Sequence, residues 1–120
     1  MFIRDLDDCP TFVAGDKTLL KEILHPDKAD LDLRYSLAHA VVPVGGASVA
    51  HRLKNSEVYY VLAGNGIMHI DDDEDAVAAG STVYIPPGAV QWIDNTGDEP
   101  LAFLCIVDPA WQPEYEEVLD

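Results

Sequence analysis

Basic residues are scarce in this chain: 7 Lys and Arg stand against 22 Asp and Glu, a formal net charge of −15. Such a field repels phosphate backbones and anionic lipid surfaces, so neither nucleic acid nor a membrane is an expected partner. Cysteine is nearly absent as well. Cys9 and Cys105 are the only two, form no disulfide framework of the kind that marks small secreted domains, and lie too far apart for a zinc knuckle. No apolar run nears the ~20 residues that span a bilayer. The opening stretch Met1 to Asp8 carries acids where a signal peptide has a basic and then an apolar region. These absences predict a cytoplasmic protein.

What is present suits one domain. The 120 residues are 48% hydrophobic, enough for one core, so residues 1–120 are expected to form a single unit. From about residue 33 onward, short β-rich segments alternate with Gly, Pro and Asn. Strands are expected at Leu33 to Val44, Ala47 to Leu53, Glu57 to Ala63, Gly66 to Asp71, Ala76 to Ala78, Thr82 to Pro86, Val90 to Asp94 and Leu101 to Val107. Such a series predicts a sandwich or barrel rather than βαβ units. Pro86-Pro87-Gly88 cannot continue a central ladder, because two successive residues lack N–H donors, so it forms a corner that feeds Gln91 into the next strand.

The ends are less regular. Asp16 to Leu24 reads either as a short helix capped by Asp16 or as an extended arm ahead of His25-Pro26. After Pro113 the tail has room for one or two helical turns. The acidic run Asp71 to Asp75 lies where a strand should turn and is expected as a solvated loop. It lacks the Gly and ligand register of a calcium loop.

Two signatures stand in order. The first reads Gly45, five residues, His51-Arg52-Leu53, three residues, Glu57, six residues, Gly64; the second reads Gly80, five residues, Pro86-Pro87-Gly88, two residues, Gln91, three residues, Asn95. This spacing resembles the cupin pattern G-x5-H-x-H-x3-E-x6-G followed by G-x5-P-x-G-x2-H-x3-N, with Leu53 and Gln91 replacing two histidines. The resemblance covers about residues 33–107. It implies an all-β fold, a double-stranded β-helix or jelly-roll barrel, with an N-terminal arm that pairs with a neighbouring subunit and a short C-terminal tail. Since one fold carries many functions, the chemistry has to come from the site.

Strand alternation puts His51, Leu53 and Val49 on one face, Glu57, Tyr59 and Val61 on another, and Gln91, Ile93 and Asn95 on a third. In cupins these faces point inward, so the resemblance implies that His51, Glu57 and Gln91 surround one point and hold a divalent metal. With one imidazole, one carboxylate and one amide, such a site binds Zn, Fe or Ni less tightly than a histidine-rich one and tolerates Mn or Mg better. His69 is a further candidate ligand. A two-residue loop between Glu57–Ala63 and Gly66–Asp71 would point it away from Glu57, and a three-residue loop would turn it inward; both suit the sequence. His39 reads as a core residue or a cavity residue, and His25 as a loop residue.

The leading functional expectation is a metal-binding cupin of enzyme type acting on a small polar molecule by isomerisation, epimerisation or lyase chemistry, with Glu57 and His51 as catalytic groups. The alternative is a non-catalytic binding or sensing cupin, which Leu53 favours by making the cavity drier. A homodimer is also expected. Val58, Tyr60 and Leu62 make the second face of their strand apolar, and that face needs cover.

Overall fold

The computed structural model describes residues 1–119. Its elements are almost all strands: β1 (Phe12–Val13), β2 (Leu19–Leu24), β3 (Ser36–Val42), β4 (His51–Leu53), β5 (Ser56–Ala63), β6 (Asn65–Ile70), β7 (Asp73–Ala78), β8 (Thr82–Ile85), β9 (Gln91–Asn95), β10 (Leu101–Asp108) and β11 (Glu116–Val118). One-turn 3-10 helices cover Leu6–Asp8 and Pro113–Tyr115. The strands form a six-stranded sheet, β1-β2-β3-β10-β5-β8, and a five-stranded sheet, β11-β4-β9-β6-β7, with antiparallel pairing throughout. This is the jelly-roll barrel that the spacing of the signatures predicts. No helix among the described residues is long and apolar enough to cross a membrane.

Alternation builds the interior. Ala38, Ala40 and Val42 of β3, Tyr59 and Val61 of β5, Ile93 of β9, and Leu101, Phe103 and Cys105 of β10 meet in one apolar cluster. Phe103, Ile93 and Val61 are fully buried, and each such side chain stabilises the fold by about 1.5–3 kcal/mol relative to exposure. Both cysteines are buried free thiols.

Four expectations are corrected. Glu57–Ala63 and the segment after Gly64 do not form a hairpin: β5 lies in the larger sheet and β6 in the smaller one. Gly64 makes the switch at φ +91, where a Cβ would lie 2.8 Å from the Leu101 Cα, so only glycine fits. The strand expected from Ala47 is confined to His51–Leu53, because Ala47 makes only an isolated bridge to Asp94 and the Val49 N–H is given to the Asp16 carbonyl at 2.7 Å. The acidic run is solvent-exposed as expected, yet only Asp71 and Asp72 turn; Asp73, Glu74 and Asp75 already belong to β7. The N-terminal segment is extended, but β2 pairs with β3 of its own chain. The tail turns once after Pro113 and then adds β11 beside β4.

Candidate functional site

Strands β4, β5 and β9 carry the expected site residues inward. His51 and Leu53 are buried on either side of exposed Arg52, His51 is directly opposite Gln91, and Gln91 reaches across to β5. The Gln91 Nε2 donates to Glu57 Oε1 at 2.7 Å, and the Tyr59 hydroxyl donates to Gln91 Oε1 at 2.9 Å. The structure therefore brings His51, Glu57 and Gln91 together. It also occupies both ends of the Gln91 amide with protein partners.

Burial dominates the electrostatics of this floor. Glu57 is pushed up to about 7 by desolvation, against the opposing effects of the Gln91 hydrogen bond and the His51 charge; Asp16 and Glu116 push it further up. Tyr59 is raised well above the ordinary phenol range, first by burial and then by the nearby Glu57 charge. It stays a hydroxyl that can donate.

His51 is oriented by its own strand entry. Its Nδ1 lies 2.8 Å from the Val49 carbonyl, which can only accept, so Nδ1 carries the proton. Nε2, which holds the lone pair when the ring is neutral, lies 3.7 Å from Asp16 Oδ2, beyond hydrogen-bond distance. Asp16 stands at the tip of the β1–β2 hairpin, where Lys17 takes φ +74 and Thr18 donates to Asp16 Oδ1 through both N–H (3.1 Å) and hydroxyl (2.7 Å). The Val49-to-Asp16 backbone bond holds that tip against the barrel. Trp111 completes the wall from the tail, donating Nε1–H to Glu116 Oε2 at 2.9 Å.

Asp16, His51, Glu57, Tyr59, Trp111 and Glu116 border a cavity of about 330 Å³. That is at the lower end of the range for small-molecule sites. Apolar wall comes from Ala38, Ala40, Leu53 and Phe103, and acidic groups from Asp16, Glu22, Glu57 and Glu116.

Three histidines lie elsewhere. His69 pairs with Trp92 rather than Gln91, so it shares the opposite face of its sheet, stacks on the Trp92 ring at 4.3 Å and contacts Asp94 Oδ2 at 2.7 Å. His39 is half-buried on the outer face of β3, opposite Lys21 and Leu104, and burial together with Lys21 lowers its pKa. His25, expected as a loop residue, is buried. Its Nδ1 accepts the Asp27 N–H at 3.0 Å, which leaves the proton on Nε2 to donate to the Trp111 carbonyl at 2.7 Å.

The donor set does not fit a divalent metal. Gln91 Oε1 is taken by Tyr59, position 53 is an apolar leucine, and His69 faces away. Among the described residues no three His, Cys, Asp or Glu side chains are grouped to hold an ion. Sequence reasoning missed Asp16 and Glu116 as cavity residues. The Gly15-Asp16 pair signals a turn, but nothing in the sequence says that the turn folds over the barrel.

Comparison with known proteins agrees with this architecture. The family model described as "Cupin domain" matches residues 38–107. An uncharacterized protein of Methanocaldococcus jannaschii is 36% identical over 97% of this chain and 93% of its own. The oxalate-binding protein of Thermotoga maritima is 32% identical, covering 74% of this chain and 69% of that one. The crystal structure of a cupin 2 domain-containing protein from Halorhodospira halophila superposes with a TM-score of 0.76 at 25% identity, covering 86% of this chain and 70% of that chain.

Proposed function

The chain belongs to the cupin domain family, and from that premise we propose that its barrel is a small-molecule binding site in which Glu57 and His51 recognise the ligand. One observation carries this reading. Glu57 Oε2 and His51 Nε2 belong to buried side chains that border the cavity, and neither has a hydrogen-bond partner among the described residues, although the other polar atom of each side chain does. Among the described residues no fully buried side-chain nitrogen or oxygen lacks a partner, so these two open atoms are presented to the cavity, where a ligand can meet them. No divalent metal enters the reading, because the residues present do not supply a set of donors for one.

The test is a thermal-shift screen of small amines, alcohols and carboxylates on the full chain and on Leu53→Trp, which fills the cavity. Stabilisation of the wild type that disappears in the folded Leu53→Trp variant supports the site. Equal stabilisation of both proteins, or of neither, overturns it.

A second reading, acid–base catalysis of isomerase, epimerase or lyase type, is favoured by the Glu57 carboxyl at about 7, where it can both take and return a proton near neutrality. Its test is deuterium wash-in from D2O into a bound carbonyl compound, followed by NMR. Exchange must be catalysed by the wild type and lost in Glu57→Gln. Binding without exchange leaves the barrel as a binding module.

A further inference from the structure

We propose that the cavity selects a small organic cation, a primary ammonium on a short apolar body, and disfavours dicarboxylates. This deepens the reading of the cavity as a ligand site and rests on it. The argument begins with which hydrogen-bonding atoms are already used. Around the cavity the strong neutral donors are turned back onto the protein: the Tyr59 hydroxyl onto Gln91, the Gln91 amide onto Glu57, the Thr18 hydroxyl onto Asp16 and the Trp111 indole onto Glu116, while the Lys28 ammonium gives one of its three N–H groups to Glu22 at 2.9 Å. The Ser36 hydroxyl accepts the Trp111 backbone N–H and keeps one neutral proton to offer.

The atoms left open are acceptors. Glu57 Oε2, His51 Nε2 and Asp16 Oδ2 have no hydrogen-bond partner among the described residues, and His51 and Glu57 are only 4% and 7% exposed. His51 Nε2 and Asp16 Oδ2 are 3.7 Å apart, too far for a hydrogen bond between them. A group that donates in several directions suits this arrangement, and an ammonium carries three N–H donors.

Charge points the same way. Four carboxyl side chains border the cavity, and its one basic side chain, Lys28, is paired with Glu22. An anion entering this space would meet like charge at reduced dielectric, whereas a cation gains from it. The apolar wall from Ala38, Ala40, Leu53 and Phe103 supplies the surface for a short hydrocarbon body, which a bare inorganic ion does not use. The Thermotoga maritima relative is an oxalate-binding protein. This chain's wall is built for the opposite charge.

The experiment is isothermal titration of the metal-stripped full chain with four probes: isobutylammonium chloride, isobutanol, potassium oxalate and manganese(II) chloride. Isobutylammonium is expected to bind at least ~10-fold more tightly than its neutral isostere, a difference of about 1.4 kcal/mol, and oxalate and manganese are expected to give no heat of binding. Asp16→Asn should weaken the ammonium probe by about 10-fold. If that variant fails to fold, Glu57→Gln, which can still accept from Gln91, serves in its place. Equal affinity for alcohol and ammonium, or preference for oxalate or manganese, overturns the ligand class and leaves the cavity as a binding site. No heat from any probe, together with no response of the thermal shift to Leu53→Trp, overturns the site itself.

Discussion

Gln91 holds Glu57 by a single 2.7 Å hydrogen bond from Nε2 to Oε1, a bond that favours the carboxylate yet can persist when the carboxyl is protonated. An amide N–H donates more strongly to a carboxylate oxygen, and it donates also to the carbonyl oxygen of a protonated acid. The proton is therefore gained and lost at Oε2, the oxygen left open, without breaking the Gln91–Tyr59 chain behind it. Titration at this position changes the charge of the cavity and leaves its geometry in place.

The raised Glu57 pKa makes a signed statement about stability. In the folded chain the carboxyl titrates at about 7 instead of the ordinary 4.5. Between those values the folded state holds more protons than the unfolded one, so this group's stabilising contribution is complete below about 4.5 and is lost as pH rises through 7. The loss is on the order of 3 kcal/mol. Glu57→Gln is expected to remove this slope, making the variant more stable than the wild type at pH 8 and no more stable at pH 5. Urea unfolding across that range measures it, and parallel pH profiles for the two proteins would contradict it.

His25 ties the segment after β2 to the tail through two hydrogen bonds of a buried ring. Removing the ring leaves the Trp111 carbonyl and the Asp27 N–H without their partners. His25→Ala is expected to cost ~1–3 kcal/mol. Hydrogen exchange should also rise selectively near residues 25–28 and 109–112, with β5 and β10 unchanged. Uniform acceleration across the chain would mean that the ring supports the whole fold and not this junction.

Metal content discriminates between the donor set expected from the signatures and the one observed. Elemental analysis of protein purified without chelator is expected to find well under one divalent ion per chain, and the same amount in His51→Ala. A full equivalent of Mn, Zn, Fe or Ni that His51→Ala abolishes would show that Gln91 leaves Tyr59 to ligate an ion.

We propose that the outer face of the larger sheet is a homodimer surface. Tyr60, Leu62, Tyr84 and Ile106 are exposed there on adjoining strands β5, β8 and β10, beside Val58. Contiguous apolar area of this kind is uncommon on a monomer. Because the chain carries −15, association should tighten as salt screens the repulsion. Sedimentation is expected to show a dimer that strengthens at high salt and dissociates in Leu62→Asp. A monomer at every ionic strength would reject this surface.

Much of the barrel was legible because its signals are local. Alternation in β3, β5, β9 and β10 marks inward residues with no knowledge of partners, and the glycine offsets mark corners: Gly45, Gly64, Gly80 and Gly88 all adopt positive φ. Asn95 serves its turn as expected, donating to the Val42 and Glu99 carbonyls and accepting from the Gly97 N–H. The face of His69 was not legible. It depends on which strand becomes its neighbour, and the change of sheet at Gly64 replaces the expected partner with Trp92 and Glu74. Asp16 was illegible for a related reason: its place over the cavity is fixed by a backbone bond to Val49, more than thirty positions along the chain, and a backbone bond leaves no mark on residue type.

The cavity is assembled from two sources with separate histories open to them. His51, Glu57 and Tyr59 come from the span matched by the family model, residues 38–107, whereas Asp16, Trp111 and Glu116 come from the flanking segments on either side. The scaffold and the selector are thus different stretches of chain. Substitution of these flank side chains can exchange an acidic roof for a basic or apolar one while β2 and β11 keep their backbone pairing with β3 and β4. Relatives aligned only through their common span can share a floor and differ in diet, and grafting residues 12–28 and 111–118 between such relatives is the direct way to move a preference from one barrel to another.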